Sequence, residues 1–200
     1  MEQRTRLSAS QRRAQLVEVA GRLFAERGYH TLSMEQLADA AGVSKPVFYQ
    51  HFPSKRDLYL ALLRDAVSEL DAQVRKALEG ASSNRERVRG AVSAYFDFVE
   101  DRNFRLLFDT AELREADVRE TVHGALNEVT QAVAALIAED AGLQPHAAQF
   151  LASGLLGLAL DGARWWAGQT QLTKDEAVQL LTQLAWRGLG SFDTDKSDKT

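Results

Sequence analysis

Apolar residues recur at helical spacing along almost the whole chain, and alternation with a period of two residues never persists. The clearest stripe runs through residues 115–139, where an apolar side chain returns every three or four positions. Glycine, proline and small polar residues interrupt the pattern at positions 28, 42, 53, 80–84 and 142–145. The pattern therefore predicts an all-α protein of about nine helices.

These interruptions also predict how the helices are grouped. Residues 1–53 hold three short helices, which we expect to form a compact head. Residues 54–190 hold the remaining helices, including a short one over 104–110, and we expect a bundle whose first helix connects it to the head. The segment 191–200 is small, polar and charged, which is typical of a disordered tail.

The stretch 33–52 reads as two helices joined at one glycine. Ser33 followed three residues later by Gln36 is a capping box, which begins the first of them. Gly42 can adopt a positive φ at no steric cost and so ends that helix. Ser44 then caps the second helix, and Pro46 lies in its first turn, where a missing N–H does no harm. This arrangement is a helix-turn-helix, whose second helix can enter the major groove of DNA.

Several side chains of this segment have the chemistry to contact DNA. Lys45 can reach guanine or a phosphate, Val47 can pack on a thymine methyl, and Tyr49 can hold the backbone. The alternative is that Tyr49 is a core aromatic residue and that Lys45 and Lys55 are simply solvated. We assign Phe48 and Phe52 to the core under either interpretation.

Charge favours the DNA-binding interpretation although the chain as a whole carries a net charge of −4. Residues 1–60 contain nine Lys or Arg and six Asp or Glu, a net of +3, so the remainder carries −7. A basic head on an acidic body is expected when only one end meets phosphate.

The composition argues against catalysis and against a metal site. The chain has no cysteine, and its four histidines, at positions 30, 51, 123 and 146, have no metal-ligand spacing. Neither a glycine-rich phosphate loop nor a G-x-S-x-G motif is present. We therefore predict no enzyme activity, no metal and no cofactor. With neither a signal peptide nor a membrane span visible, we expect a cytoplasmic protein with no membrane partner.

The body contains candidates for a dimer interface and for a ligand site. Glycines inside the predicted helix 145–167 suggest close helix packing, either between subunits or within one chain. The predicted interface residues are Leu151, Gly154, Leu155, Gly157, Val178, Leu181, Leu184 and Ala185. The predicted ligand-binding residues are Phe96, Phe104, Leu107, Phe108, Phe150, Leu158, Asp161 and Trp165. Core packing is the alternative for the apolar members, and pairing with Arg164 is the alternative for Asp161.

The run GVSKPVFYQHFPSK, preceded by SMEQLADAA and followed by KRDLYLALL, resembles the DNA-binding domain of TetR-family transcriptional regulators over roughly residues 10–65. The later runs YFDFVE, FRLLFD, LDGARWW and LAWRGL are similar to the actinobacterial branch that controls fatty-acid synthesis and senses long-chain acyl-CoA. Pro46 replaces a glycine that is frequent in the family. The resemblance implies DNA contacts from Ser33, Ser44, Lys45, Pro46, Val47, Tyr49, Gln50, His51 and Lys55.

The resemblance also implies a homodimer on a palindromic operator, because one head reads too few bases and two heads about 34–36 Å apart match successive DNA turns. Together with the residues it predicts a ligand-responsive regulator with an apolar effector, of which long-chain acyl-CoA is the candidate. Repression is the family default, whereas the fatty-acid branch includes activators. The alternative is a DNA-bound structural or partner-recruiting protein that senses no small molecule.

Overall fold

The computed structural model describes residues 7–101 and 116–190, and its regular structure in these ranges is entirely helical. The predicted all-α fold is confirmed. The expected helix over 104–110 and the tail 191–200 lie outside the described residues. The eight helices within the described ranges are α1 Ala9–Arg27, α2 Met34–Ala40, α3 Lys45–His51, α4 Lys55–Gly80, α5 Asn84–Glu100, α6 Ala116–Ala141, α7 Pro145–Ala167 and α8 Lys174–Gly190.

The described residues form two compact units, one of 7–66 with 116–122 and one of 67–101 with 123–190. The division falls inside α4, after Ala66, whereas the sequence predicts it at Pro53. The reason is that the first half of α4 completes the core of the head. The ring of Tyr59, fully buried, has its centroid 6.3 Å from that of Phe24 and 5.0 Å from that of Tyr29.

The core of the head is built from the apolar faces that the helical spacing predicts. Leu16 and Phe24 of α1, Leu37 of α2 and Phe48 of α3 are almost completely buried, as is Phe52 just after α3. Phe48 and Phe52 pack with ring centroids 6.2 Å apart. These two aromatic residues fix which side of α3 faces inward, so its opposite side is turned outward.

The turn between α2 and α3 depends on Gly42. Its φ is +66°, a left-handed conformation that glycine adopts without strain. In this conformation the Gly42 N–H donates to the carbonyl of Asp39 at 3.0 Å and the Val43 N–H donates to that of Ala38 at 3.1 Å. These two bonds form a Schellman motif, which satisfies the last carbonyls of α2 and sends the chain into α3.

In the second unit, α5 packs against α7 and α8, which also pack against each other. Gly162 of α7 faces α8 so closely that an added Cβ would lie 2.4 Å from Cδ1 of Leu181. Nζ of Lys174, at the start of α8, donates to Asp97 at 2.8 Å and to Glu100 at 2.5 Å, both in the last turn of α5. None of the helices described here combines the length and the apolar character needed to cross a bilayer.

Candidate nucleic-acid interface and ligand cavity

The outer side of α3 carries the side chains that the sequence assigns to DNA contacts. Ser44, Lys45, Pro46, Tyr49 and Gln50 are exposed. Val47 and His51 are half-buried at the edges of this surface. Burial of Phe48 and Phe52 beneath the helix leaves this polar surface free for an external partner.

Ser33 and Ser44 occupy equivalent N-cap positions but use their hydroxyl groups differently. Ser33 forms the predicted capping box, since its Oγ accepts from the Gln36 N–H at 3.2 Å while Gln36 Oε1 accepts from the Ser33 N–H at 2.8 Å. Ser44 has the extended backbone of an N-cap, with φ −71° and ψ 151°, yet its side chain makes no capping hydrogen bond. The Ser44 hydroxyl is therefore available beside the N–H groups of the first turn of α3, where phosphate oxygens bind favourably.

We expect Ser33→Ala to lower the free energy of unfolding by about 1 kcal/mol, because it removes a capping hydrogen bond from a seven-residue helix. Ser44→Ala is the matched control and should change stability by much less, since no side-chain cap bond is lost. Urea unfolding of both variants, with hydrogen exchange of the α2 amides as a local readout, checks this. Equal losses in the two variants would contradict it.

Lys45 is paired with Glu35 of α2 across the turn. Its Nζ forms a short ion pair with Glu35 Oε1 and lies 5.9 Å from the ring centroid of Tyr49. The hydrogen bond and the charge of Lys45 lower the pKa of Glu35, and the same contact raises the pKa of Lys45, so both groups are ionised at neutral pH. The Glu35 carboxylate thus holds Lys45 on the outer side of α3. A DNA phosphate that pairs with Lys45 would take the place of this carboxylate.

The contacts of Lys55 do not favour the predicted phosphate binding. Its Nζ donates to the backbone carbonyl of Tyr29 at 2.8 Å and to that of Leu32 at 2.9 Å, and it lies 4.3 Å from the ring centroid of Tyr29. Lys55 is half-buried and ties the α1–α2 connection to the start of α4. Its ammonium group therefore stabilises the head, because it donates to two carbonyls of a segment more than twenty residues earlier in the chain.

The second unit contains a cavity of about 140 Å³ between α4, α5, α6, α7 and α8. Its walls are predominantly aliphatic. The apolar lining includes Val74, Leu78, Val92, Val133, Ile137, Leu151, Leu155, Leu158 and Trp186. Such walls suit an acyl chain or another apolar ligand.

A few polar groups border this cavity. At one end, Nη1 of Arg87 donates to Asn84 Oδ1 at 2.6 Å and to Asp140 Oδ2 at 3.3 Å. The Thr130 hydroxyl donates to the carbonyl of Leu126 at 2.8 Å. Tyr95 differs from these residues, because its buried hydroxyl has no hydrogen-bond partner within the described part of the chain.

The structure separates the predicted ligand-binding residues into several groups. Leu158 lines the cavity, whereas Phe96 is buried outside it, with its ring centroid 5.4 Å from that of Trp166. Phe150 and Trp165 do not line the cavity, because they lie on the outside of α7 with 78% and 65% of their surface exposed. Asp161 is also exposed and pairs with Arg164 at 3.3 Å, as the simpler alternative predicts. The predicted residues Phe104, Leu107 and Phe108 lie outside the described residues.

The predicted interface residues divide in a similar way. Leu151 and Leu155 line the cavity, Leu181 packs on Gly162, and Val178 and Ala185 are buried within their own chain. Val178 and Ala185 therefore offer almost no surface to a partner, whereas Leu151, Leu155 and Leu181 are half-buried. Leu184 is 60% exposed, and a Cβ added at Gly154 or Gly157 would meet nothing within 4 Å.

Among the side chains of α7 and α8 that the structure describes, four large apolar ones are exposed. We call them the outer apolar set: Phe150, Trp165, Leu180 and Leu184. Leu180 is not among the residues that the sequence predicts for an interface, and Phe150 and Trp165 are predicted for the ligand site, although all three are exposed.

Comparisons with known proteins match both the helix-turn-helix segment and the helical body. Residues 16–62 match the family profile for bacterial regulatory proteins of the tetR family, and residues 73–200 match the tetracyclin repressor-like C-terminal domain. The transcriptional activator FasR of Mycolicibacterium smegmatis is 44% identical over 187 residues, which cover 92% of this chain and 85% of that protein.

Solved structures show the same fold. A TetR-like transcriptional regulator from a Rhodococcus species superposes with a TM-score of 0.71 at 27% identity, covering 92% of this chain and 99% of that one. AibR, solved with isovaleryl coenzyme A and operator DNA, superposes with a TM-score of 0.64 at 20% identity, covering 86% of this chain and 97% of that one.

The two profiles cover the helix-turn-helix and the helical body separately, and the relative at 44% identity spans both. The exposed α3 surface is the element that such proteins insert into DNA. The chain therefore belongs to the TetR family of DNA-binding transcriptional regulators, and it is a regulator rather than an enzyme.

Proposed function

We propose that this protein is a ligand-responsive regulator that binds a palindromic operator as a homodimer and takes a long-chain acyl-CoA as its effector. The observation that carries the proposal is that one chain combines an exposed recognition helix with an apolar cavity in a separate unit. α4 contributes residues to both units, so the DNA-reading and ligand-binding parts share one continuous helix.

Dimerisation is supported by the outer apolar set. Phe150, Trp165, Leu180 and Leu184 are each more than half exposed, and the open backbone at Gly154 and Gly157 permits close approach of another helix. A two-fold interface through α7 and α8 would cover these side chains in both subunits at once. A dimer of this kind supplies the two recognition helices that a palindromic operator requires.

An acyl effector is supported by the aliphatic cavity walls and by Arg87 at one end, whose guanidinium suits an anionic or carbonyl head group. AibR has been solved with an acyl-CoA, isovaleryl coenzyme A. The relative that is 44% identical is named as the transcriptional activator FasR. At about 140 Å³ the cavity is smaller than the roughly 300–1,000 Å³ of ordinary ligand sites. A complete acyl chain would therefore bind more tightly to a wider arrangement of the helices. This difference in affinity between two arrangements is what a two-state switch needs.

An operator selected in vitro from random duplex DNA tests both parts of the proposal. We expect two inverted half-sites about one helical turn apart, and we expect palmitoyl-CoA, but not free CoA, to change the affinity for this operator. With a coupling free energy of about 1–3 kcal/mol, the change should be roughly 5- to 150-fold.

The possible failures are distinguishable. A selected site without two-fold symmetry would overturn the dimeric arrangement. An operator affinity that palmitoyl-CoA leaves unchanged would favour the alternative of a DNA-bound structural or partner-recruiting protein. A reporter gene placed behind the selected operator then shows whether the protein represses or activates transcription. Repression is the family default, whereas the FasR relative is named as an activator.

A further inference from the structure

One polar group of the cavity is not explained by packing. The Tyr95 side chain is only 3% exposed and belongs to the cavity lining, but its hydroxyl has no hydrogen-bond partner among the residues that the structure describes. Buried hydroxyl groups nearly always form a hydrogen bond. A buried hydroxyl without one has lost the free energy of its hydrogen bonds to water and gained nothing in return. A buried, unpaired donor at the wall of a cavity points to a partner that enters the cavity.

The surroundings of Tyr95 restrict the charge of that partner. Burial and, to a lesser degree, the nearby Asp71 carboxylate raise the pKa of Tyr95, so its hydroxyl keeps its proton and is available as a donor at neutral pH. Asp71 pairs with Arg75 through one oxygen at 2.7 Å, while its other oxygen is buried without a partner in the described ranges. The Asp71 carboxylate is near enough to raise the pKa of Tyr95, and it disfavours a second anion, a carboxylate or a phosphate, at this position. A neutral oxygen is therefore the acceptor that suits the Tyr95 hydroxyl.

The second polar position is Arg87, also on α5. Its Nη1 contacts Asn84 and Asp140, but its Nε is buried and has no partner in the part of the chain described here. Arg87 and Tyr95 are eight residues apart on α5, which corresponds to about 12 Å along the helix axis. Between them α5 contributes Val88, Ala91 and Val92 to the lining, so the intervening wall is apolar.

We infer that the cavity is built for an acyl chain that carries a neutral oxygen, a hydroxyl or a keto group, near its middle, with the head group at Arg87 and that oxygen at the Tyr95 hydroxyl. The inference rests on the proposed function and adds a specificity-determining residue to it. Tyr95 discriminates oxygenated chains from plain ones, because a plain chain leaves the hydroxyl without a partner.

Oleic acid and ricinoleic acid provide the test, since they differ only by a mid-chain hydroxyl. We expect the wild-type protein to bind ricinoleic acid at least about 5-fold more tightly than oleic acid by isothermal titration calorimetry, a modest value for one hydrogen bond to a buried donor. In Tyr95→Phe this ratio should fall to about one, mainly through weaker binding of ricinoleic acid. Thr182→Val is the matched control and should keep the wild-type ratio, because Thr182 is buried outside the cavity lining and its hydroxyl already donates to the Val178 carbonyl at 2.7 Å.

Thermal unfolding separates recognition from a structural role. Tyr95→Phe should be at least as stable as the wild type, since it deletes a hydroxyl that the protein leaves unpaired. A wild-type ratio near one, or a ratio that survives Tyr95→Phe, would overturn the inference while leaving the acyl effector of the proposed function intact. Failure of the wild type to bind either acid or its CoA ester would overturn both.

Discussion

Replacing Leu184 with glutamate is expected to dissociate the proposed dimer into monomers and to weaken operator binding by at least about 20-fold. Leu184 is 60% exposed in the protomer, so the substitution leaves the protomer core intact. In a two-fold interface every substitution occurs twice. The change therefore removes two leucine side chains from the contact. Complete burial of a leucine contributes about 1.5–3 kcal/mol, and the interface can bury only the 60% of Leu184 that is exposed, so each copy contributes about 1–2 kcal/mol.

Together these losses amount to about 2–4 kcal/mol, which corresponds to a factor of roughly 20 to 400 in the dimer dissociation constant. Desolvation of two carboxylates adds to the penalty. Operator affinity falls with the dimer because each monomer retains only one recognition helix. Sedimentation equilibrium over a range of concentrations, followed by an operator titration, measures both effects.

Ala72→Glu is the control. Ala72 is also exposed and belongs to the same unit, but it lies on α4, outside the proposed α7–α8 interface. It should remain dimeric and keep its operator affinity. A Leu184→Glu protein that stays dimeric would contradict the proposed interface. A monomeric variant with wild-type operator affinity would contradict the requirement for two heads.

The head could be predicted in detail because its signals are local. The capping box joins Ser33 to Gln36, and the Schellman motif around Gly42 involves residues only three and five positions apart. Short-range pairings of this kind can be read directly from residue types and spacing. The buried positions of Phe48 and Phe52 follow from the same helical phase.

The orientation of α7 could not be predicted because the helix is apolar on nearly all sides. Periodicity identifies an inner face only when the outer face is polar. The sequence predicts Phe150 and Trp165 for the ligand site and Leu151 and Leu155 for an interface. In the structure the two aromatic residues are exposed and the two leucines line the cavity. Which side of such a helix faces inward depends on the partners it packs against, and those partners are distant in sequence.

Contacts between distant segments explain the remaining differences. Lys55 reads as an exposed cation at a helix N-terminus, but the two carbonyls that bind it come from Tyr29 and Leu32. The Glu35–Lys45 pair likewise bridges two helices. Its presence changes what is expected of the recognition helix, because Lys45 already has an anionic partner before DNA binds.

Lys45→Ala is expected to weaken operator binding by at least about 10-fold, since loss of a base or phosphate contact costs about 1–3 kcal/mol in each head. It should also reduce the dependence of log affinity on log salt by nearly one per head, because one fewer counterion is released. The ion pair with Glu35 is exposed on both sides and contributes little to stability, so the variant should unfold like the wild type. Fluorescence anisotropy with operator DNA at several salt concentrations provides the measurement.

Glu35→Gln should have the opposite effect and tighten operator binding several-fold. It removes the carboxylate that competes with phosphate for Lys45, and it keeps the size and hydrogen-bonding capacity of the side chain. Because the carboxylate competes for Lys45, the gain in operator affinity should be smaller when Glu35→Gln is introduced into Lys45→Ala. A double-mutant cycle measures this difference. A gain of equal size in both backgrounds would mean that Glu35 acts only through repulsion of the DNA. Unchanged affinity in both Glu35→Gln and Lys45→Ala would exclude this lysine from the DNA contact.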